Sequence, residues 1–199
     1  MNPNESRTNS RLKTADLAVC AVFIALITVG AKLQITIPTG LFSMHFTLQW
    51  FFVILAGLIP GLRLAFSSVG AYLLIGLIGL PVFASGGGLQ YISKPTFGYL
   101  LGFLAAAALM GFLSDRTAVL SKKSSAVISC AGLVIYYALG MLYFFIAEKY
   151  FYRVPLGGAS VFLTTTLFST FPADFILCLI ASGIAGRLKR EYLRLIPKH

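Results

Sequence analysis

Apolar residues along the chain run in long blocks, broken by short polar stretches and by Pro/Gly punctuation rather than by strict alternation. The first block covers about residues 15–31. The second runs from 46 to 58 and is closed by Pro60 and Gly61. The third follows from 64 to 80 and ends at Pro81. After the glycine-rich stretch Ala84-Ser85-Gly86-Gly87-Gly88-Leu89, a fourth begins beyond Pro95 and reaches 113. A fifth covers 126–147 and a sixth 161–185. A spanning helix needs about 20 apolar residues. Periodicity does not separate a buried helix from a lipid-facing one, so block length and the Pro/Gly breaks decide the assignment. The pattern predicts an all-α integral membrane protein of six transmembrane helices. Residues 1–13 read as a polar tail, 14–188 as a single six-helix transmembrane domain and 189–199 as a basic tail. No small-residue cleavage site follows the first block, so it is expected to be a retained helix.

Composition narrows the class further. Of 199 residues, 58% are apolar and 11% charged, against about 25% charged in ordinary soluble domains. Mean hydropathy is +0.87. So few charges cannot cover the surface of a soluble body of this size. A disordered chain, a collagen-like chain and a disulfide scaffold are excluded as well. The charges are unbalanced, with 16 Lys and Arg against 6 Asp and Glu. In a chain this apolar, a basic excess reads as loops facing anionic lipid rather than as a nucleic-acid surface. With both termini inside, the inner segments hold twelve Lys/Arg: three in the N-terminal tail, Arg63, three between the fourth and fifth blocks, and five at the C-terminus. The outer segments hold four, Lys32, Lys94, Lys149 and Arg153. That asymmetry predicts N-in, C-in topology. The outer loops are then 32–45, 84–95 and 148–160.

Familiar catalytic and metal chemistry is missing from this frame. Cys20, Cys130 and Cys178 stand singly in apolar runs and read as small core residues. There is no GxxxxGK[ST], GxSxG or HExxH motif. An intramembrane enzyme has little support, and if transport is energised, the energy comes from a partner or from an ion gradient. The isolated polar side chains gather toward the outer side: Gln34, His45, Gln49, Gln90, Tyr91, Ser93, Lys94, Tyr99 and Tyr152, with Gly86–Gly88 and Gly157-Gly158 beside them. They form either the mouth of a small-molecule site or an ordinary interfacial belt. Asp174 stands out within Thr170-Phe171-Pro172-Ala173-Asp174-Phe175. A carboxylate at mid-membrane costs about 2.5–3.5 kcal/mol on insertion scales and is normally paired or turned to a cavity. It is either a ligand group or half of an ion pair, with Lys94 as the candidate partner. Lys94 can equally snorkel to headgroups. Small residues recur four apart at Gly57/Gly61, Gly98/Gly102/Ala106 and, on the first block, Ala21/Ala25 extended by Ala18. Such strips let helices approach closely, inside the bundle or against another protein.

Several blocks then point in one direction: Phe46-Thr47-Leu48-Gln49, Ala56-Gly57-Leu58-Ile59-Pro60-Gly61-Leu62-Arg63, Gly79-Leu80-Pro81-Val82-Phe83-Ala84, and Lys94-Pro95-Thr96-Phe97-Gly98-Tyr99-Leu100-Leu101-Gly102-Phe103. Together they resemble BioY, the biotin-binding S component of energy-coupling factor (ECF) transporters. Pro172-Ala173-Asp174 and the Ala-rich first block extend the resemblance. Many members carry a glycine where Phe97 stands, and proline ahead of the Thr-Leu-Gln block, where this chain has His45-Phe46. The resemblance implies capture of biotin at the extracytoplasmic side of a bacterial plasma membrane. It implies Asp174, Lys94 and Gln49 as polar ligand contacts, Tyr99, Phe97 and Tyr91 as walls, and Gly86, Gly87 and Gly88 as a loop over the ligand. It also implies Ala18, Ala21 and Ala25 as the face that docks on a transmembrane coupling subunit driven by two ATPases, with no cofactor held by this chain itself. An S component for another vitamin, or a stand-alone carrier, are the alternatives.

Overall fold

The computed structural model describes residues 14–38, 43–147, 150 and 170–195. It is mostly helical. Its elements are α1 (Thr14–Lys32), β1 (Gln34–Pro38), β2 (Ser43–Thr47), α2 (Gln49–Leu58), α3 (Leu62–Ile78), a single 3-10 turn (Leu89–Tyr91), α4 (Phe97–Arg116), α5 (Lys122–Ala147) and α6 (Phe171–Leu195). Helices α1, α4, α5 and α6 are long and apolar enough to cross a membrane, while α2 and α3 are shorter.

Three sequence expectations change. The fold is not all-α, because the expected outer loop 32–45 contains an antiparallel hairpin pairing Gln34 with Thr47 through Pro38 with Ser43. Its first strand carries the β-branched run Ile35-Thr36-Ile37, which favours a pleated backbone. Consequently the second apolar block does not begin as helix at Phe46. Phe46 and Thr47 belong to β2, and α2 has 10 residues, about 15 Å of helix. At its far end α2 stops before Pro60, which disfavours a helical residue ahead of it, and before Gly61, whose φ of 88° suits glycine. Finally, α6 continues through Leu195, so most of the expected basic tail is helical. Residues 161–169 of the sixth block lie outside the described residues. So do Lys149, Tyr152, Arg153 and Gly157-Gly158 of the third outer loop.

Helix α2 is the centre of the bundle. Eight of its residues are buried, including Gln49, Trp50, Val53, Ile54 and Leu58, and the other two, Phe51 and Phe52, are half-buried. That is the burial expected of a helix apolar all round. The glycine strips act inside the bundle. A Cβ on Gly102 would lie 2.7 Å from the Tyr136 carbonyl oxygen, and one on Gly57 would lie 2.8 Å from Met110 Cβ. Glycine therefore sets the spacing of α4 against α5 and of α2 against α4. In α1 the buried face is Cys20, Phe23, Ile27, Gly30 and Ala31. Ala18, Ala21 and Ala25 are exposed, alongside Leu17, Val22 and Val29.

The two ends of the bundle differ. At one end, the Asp115 carboxylate accepts the Leu62 backbone N–H at 2.8 Å. Ser114 donates to the Leu58 carbonyl at 2.7 Å, and Lys189 donates to Ser114 Oγ at 2.6 Å and to its carbonyl at 2.8 Å. These bonds tie the α2–α3 turn to α4 and α6. Arg63, Arg116, Lys122, Lys123, Arg187, Arg190 and Arg194 lie toward the same end. Lys32 and Lys94 lie toward the other, where the hairpin and the loop between α3 and α4 surround a cavity.

Candidate binding site

The cavity encloses about 670 Å³ of empty space, counted out through its open mouth. It is lined by β2 (Phe46, Thr47), the start of α2 (Gln49, Trp50), the α3–α4 loop (Ala84, Tyr91, Thr96), α4 (Tyr99, Leu100, Phe103), α5 (Tyr136) and the start of α6 (Thr170, Asp174). Aromatic rings form one wall. Trp50 stacks on Tyr136 at 4.7 Å and Tyr136 on Phe103 at 5.0 Å, all within 19° of parallel. Tyr99 meets Tyr136 edge-on at 5.3 Å. Offset and edge-on arrangements of this kind are the favoured ones for aromatic pairs.

Two polar groups enter the wall from opposite sides. Asp174 is 3% exposed. Its Oδ2 accepts the Tyr137 hydroxyl proton at 2.7 Å. Tyr137 has one proton to give, so Thr170, at 2.9 Å, acts as donor to the Tyr137 oxygen. Among the described residues Oδ1 of Asp174 has no hydrogen-bond partner, and Asp174 does not pair with Lys94. Gln49, also 3% exposed, donates from Nε2 to Tyr72 Oη at 2.6 Å, and its Oε1 accepts from Thr47 Oγ1 at 3.3 Å. Among the described residues, one N–H and one lone pair of the amide stay unused.

Lys94 sits at the rim rather than in the lining. Its ammonium lies 4.5 Å above the Tyr91 ring and 3.5 Å from the Ser85 carbonyl oxygen. Both contacts are weak, so the side chain is cheaply redirected. Tyr91 is 5% exposed. Its burial raises the phenol above its ordinary value, so it stays neutral at physiological pH.

Of the residues expected from sequence, the cavity therefore brings together Asp174, Gln49, Tyr99 and Tyr91. Phe97 is buried behind them, edge-on to Tyr143 at 5.7 Å. Gly87 and Gly88 pack on the end of α3: Gly88 N–H donates to the Gly76 carbonyl at 2.7 Å, and a Cβ on Gly87 would strike the Leu80 carbonyl, while Gly86 pairs with Phe83. Within the stretch 84–89, Ala84 lines the cavity. Sequence reasoning missed Trp50, Phe103, Tyr136, Tyr137 and Thr170. The adjacent Tyr136-Tyr137 pair inside an apolar block was the available signal, since buried phenols need partners.

The family model of the BioY family matches residues 4–194. The chain belongs to the BioY family. A "Probable biotin transporter BioY" of Lysinibacillus sphaericus is 39% identical over 179 residues, covering 90% of this chain and 89% of the relative. The "Biotin transporter BioY" of Thermotoga maritima is 38% identical over 178 residues, covering 87% and 95%. A crystal structure at 2.1 Å of the S-component for biotin from an ECF-type ABC transporter matches with a TM-score of 0.73 at 24% identity, covering 90% of this chain and 95% of that one. BioY membership and this likeness of fold make the chain a multi-pass membrane protein with the S-component architecture. The cavity described here lies between elements that the BioY match spans from end to end.

Proposed function

We propose that the chain is the substrate-binding (S) subunit of an ECF vitamin transporter, capturing biotin at the extracytoplasmic side for ATP-driven uptake. The observation that carries this reading is the convergence of Asp174 and Gln49 on one aromatic-walled cavity, within a chain matched almost throughout by the BioY family.

Biotin joins a ureido ring, with two N–H donors and one carbonyl, to an apolar sulfur ring and a carboxylate on an alkyl chain. The free oxygen of Asp174 suits a ureido N–H. The spare N–H and lone pair of Gln49 suit a carbonyl or a second donor. Trp50, Tyr136 and Phe103 offer an apolar face to the rings. Lys94, loosely held at the rim, can turn to the carboxylate. The protein performs no bond chemistry in this role and holds no cofactor of its own. A transmembrane coupling subunit and two ATPases supply the energy, the coupling subunit docking on Ala18, Ala21 and Ala25.

The orientation follows from charge. Six spans with both termini inside put the basic end of the bundle in the cytoplasm of a bacterial cell and turn the cavity outward. The short helices α2 and α3 count among those six.

Equilibrium binding of biotin to the purified full chain in detergent tests the ligand. Saturable, stoichiometric binding is expected. No binding of biotin, with tight binding of another vitamin, overturns the ligand and keeps the S-component role. Uptake in cells lacking any coupling subunit overturns that role in favour of a stand-alone carrier.

A further inference from the structure

We infer that Tyr72 is a positioning residue for the ligand site: its hydroxyl fixes which way round the Gln49 amide faces the cavity. This rests on the reading of Gln49 as a ligand contact.

Tyr72 lies in the middle of α3, fully buried, and does not line the cavity. Its hydroxyl oxygen sits between the Val82 carbonyl oxygen at 3.2 Å and Gln49 Nε2 at 2.6 Å. A phenol has one proton to donate, and a carbonyl can only accept, so in the observed arrangement that proton goes to Val82. Toward Gln49 the Tyr72 oxygen can then only accept. The NH₂ end of the amide must therefore face Tyr72. Its Oε1 is left to face Thr47, whose hydroxyl donates to it at 3.3 Å. The flipped amide would draw the Tyr72 proton to Oε1 and leave the part-buried Val82 carbonyl without its donor, a net loss of one hydrogen bond.

One orientation is thus favoured through Tyr72 and Val82, with the Thr47 hydroxyl following it as donor, and the remaining donor and acceptor of the amide then stand in set places. A fixed donor–acceptor pair reads a ligand group that carries both functions side by side, such as a cyclic urea or an amide. Tyr72 also supports the α3–α4 loop, through Val82 and through the edge-on contact with Phe83 at 5.5 Å. The test has to separate orientation of the amide from support of the loop.

A double-mutant cycle does so. Biotin affinity is measured by titration calorimetry for the full chain, Tyr72→Phe, Gln49→Ala and the double variant. Tyr72→Phe keeps the ring and removes only the hydroxyl. If Tyr72 acts through Gln49, Tyr72→Phe weakens binding about threefold to tenfold alone and less than about twofold when Gln49 is already alanine. An equal loss in both backgrounds overturns the inference, because the hydroxyl then acts through the loop. So does an unchanged affinity for Tyr72→Phe. Failure of the unmutated chain to bind biotin overturns the ligand assignment beneath it.

A second measurement needs no ligand and no folded Tyr72 variant. The chain has three glutamines, Gln34, Gln49 and Gln90. With side-chain ¹⁵N-glutamine labelling of the unmutated protein, one NH₂ pair is expected to show a proton protected from solvent exchange, and Gln49→Ala assigns it. Rapid exchange of that pair overturns the fixed orientation.

Discussion

Replacing Asp174 by asparagine should weaken ligand binding while leaving the unliganded bundle as stable as before, or more stable. The carboxyl is buried, accepts one hydrogen bond from Tyr137, and has no cationic partner among the described residues. Asparagine fills the same volume and its carbonyl oxygen keeps the Tyr137 bond. A hydrogen bond to a charged acceptor contributes about 1.5–3 kcal/mol, against about 0.5–1.5 for a neutral pair. Each ligand N–H that loses the carboxylate therefore forfeits about 1–1.5 kcal/mol, or roughly fivefold to twelvefold in affinity. A ureido ring with both N–H groups on Asp174 would lose the square of that. In the unliganded state the substitution removes an uncompensated buried charge, which is neutral to favourable for folding. Titration calorimetry gives the affinity, and thermal unfolding in detergent, with and without biotin, gives the stability. Full affinity with a lowered unfolding temperature would refute the reasoning and make Asp174 a structural residue.

Lys94→Gln should weaken biotin about twofold to fivefold, as expected for a partly exposed ion pair, and should leave a neutral biotin ester unaffected; equal losses for acid and ester would remove Lys94 from the carboxylate. Trp50 is the single tryptophan and stacks on Tyr136 in the cavity wall, so biotin should change the intrinsic fluorescence saturably, with a midpoint matching the calorimetric affinity. Gly102→Val should lower the unfolding temperature, since its side chain meets the Tyr136 backbone and overpacking of this kind costs about 1–3 kcal/mol. Ala21→Trp should abolish co-purification with a coupling subunit at unchanged biotin affinity, because the residue faces outward and away from the cavity.

The helices were legible because each is a long apolar block ended by Pro, Gly or charge, and those signals are local. α4 shows this well: its block is expected to begin after Pro95, and the helix begins at Phe97. The hairpin was not legible in the same way. Ile35-Thr36-Ile37 is a short β-branched run that a span-length reading passes over, and its partner strand overlaps the block read as helix. In the site, Asp174 and Gln49 announced themselves as polar residues in apolar surroundings, which is a property of sequence alone. Their partners did not. Tyr72 and Tyr137 stand 23 and 37 residues from the groups they bond. Only the packing of α3 against α2, and of α5 against α6, reveals them. Glycines permit close backbone approach, and at Gly87 and Gly88 the backbone approached is the end of α3, a contact that the sequence does not announce.

On the proposed reading, ligand binding and partner docking fall on different helices. Every described residue lining the cavity comes from β2, α2, the α3–α4 loop, α4, α5 or α6; none comes from α1 or α3. Helix α1 can therefore present its outward face to a partner without giving up a ligand contact. It is not mechanically isolated, however. Lys32, its last residue, donates to the Phe83 carbonyl at 3.1 Å, and Gln34, two residues on, reaches the carbonyl of the lining residue Ala84 at 3.4 Å. A shift of α1 along its axis would be felt at these two bonds, and through them at the loop beside the mouth of the cavity, as well as at Leu48, whose N–H donates to the Gly30 carbonyl at 3.1 Å. A partner seated on Ala18, Ala21 and Ala25 can thus influence ligand retention only to the extent that its affinity differs between the two positions of that loop. Coupling of this kind predicts that Lys32→Met, which removes the longer-reaching of the two tethers, changes the rate of biotin release from the assembled transporter more than from the isolated chain. Equal changes in both would show that Lys32 holds the loop without transmitting anything from α1.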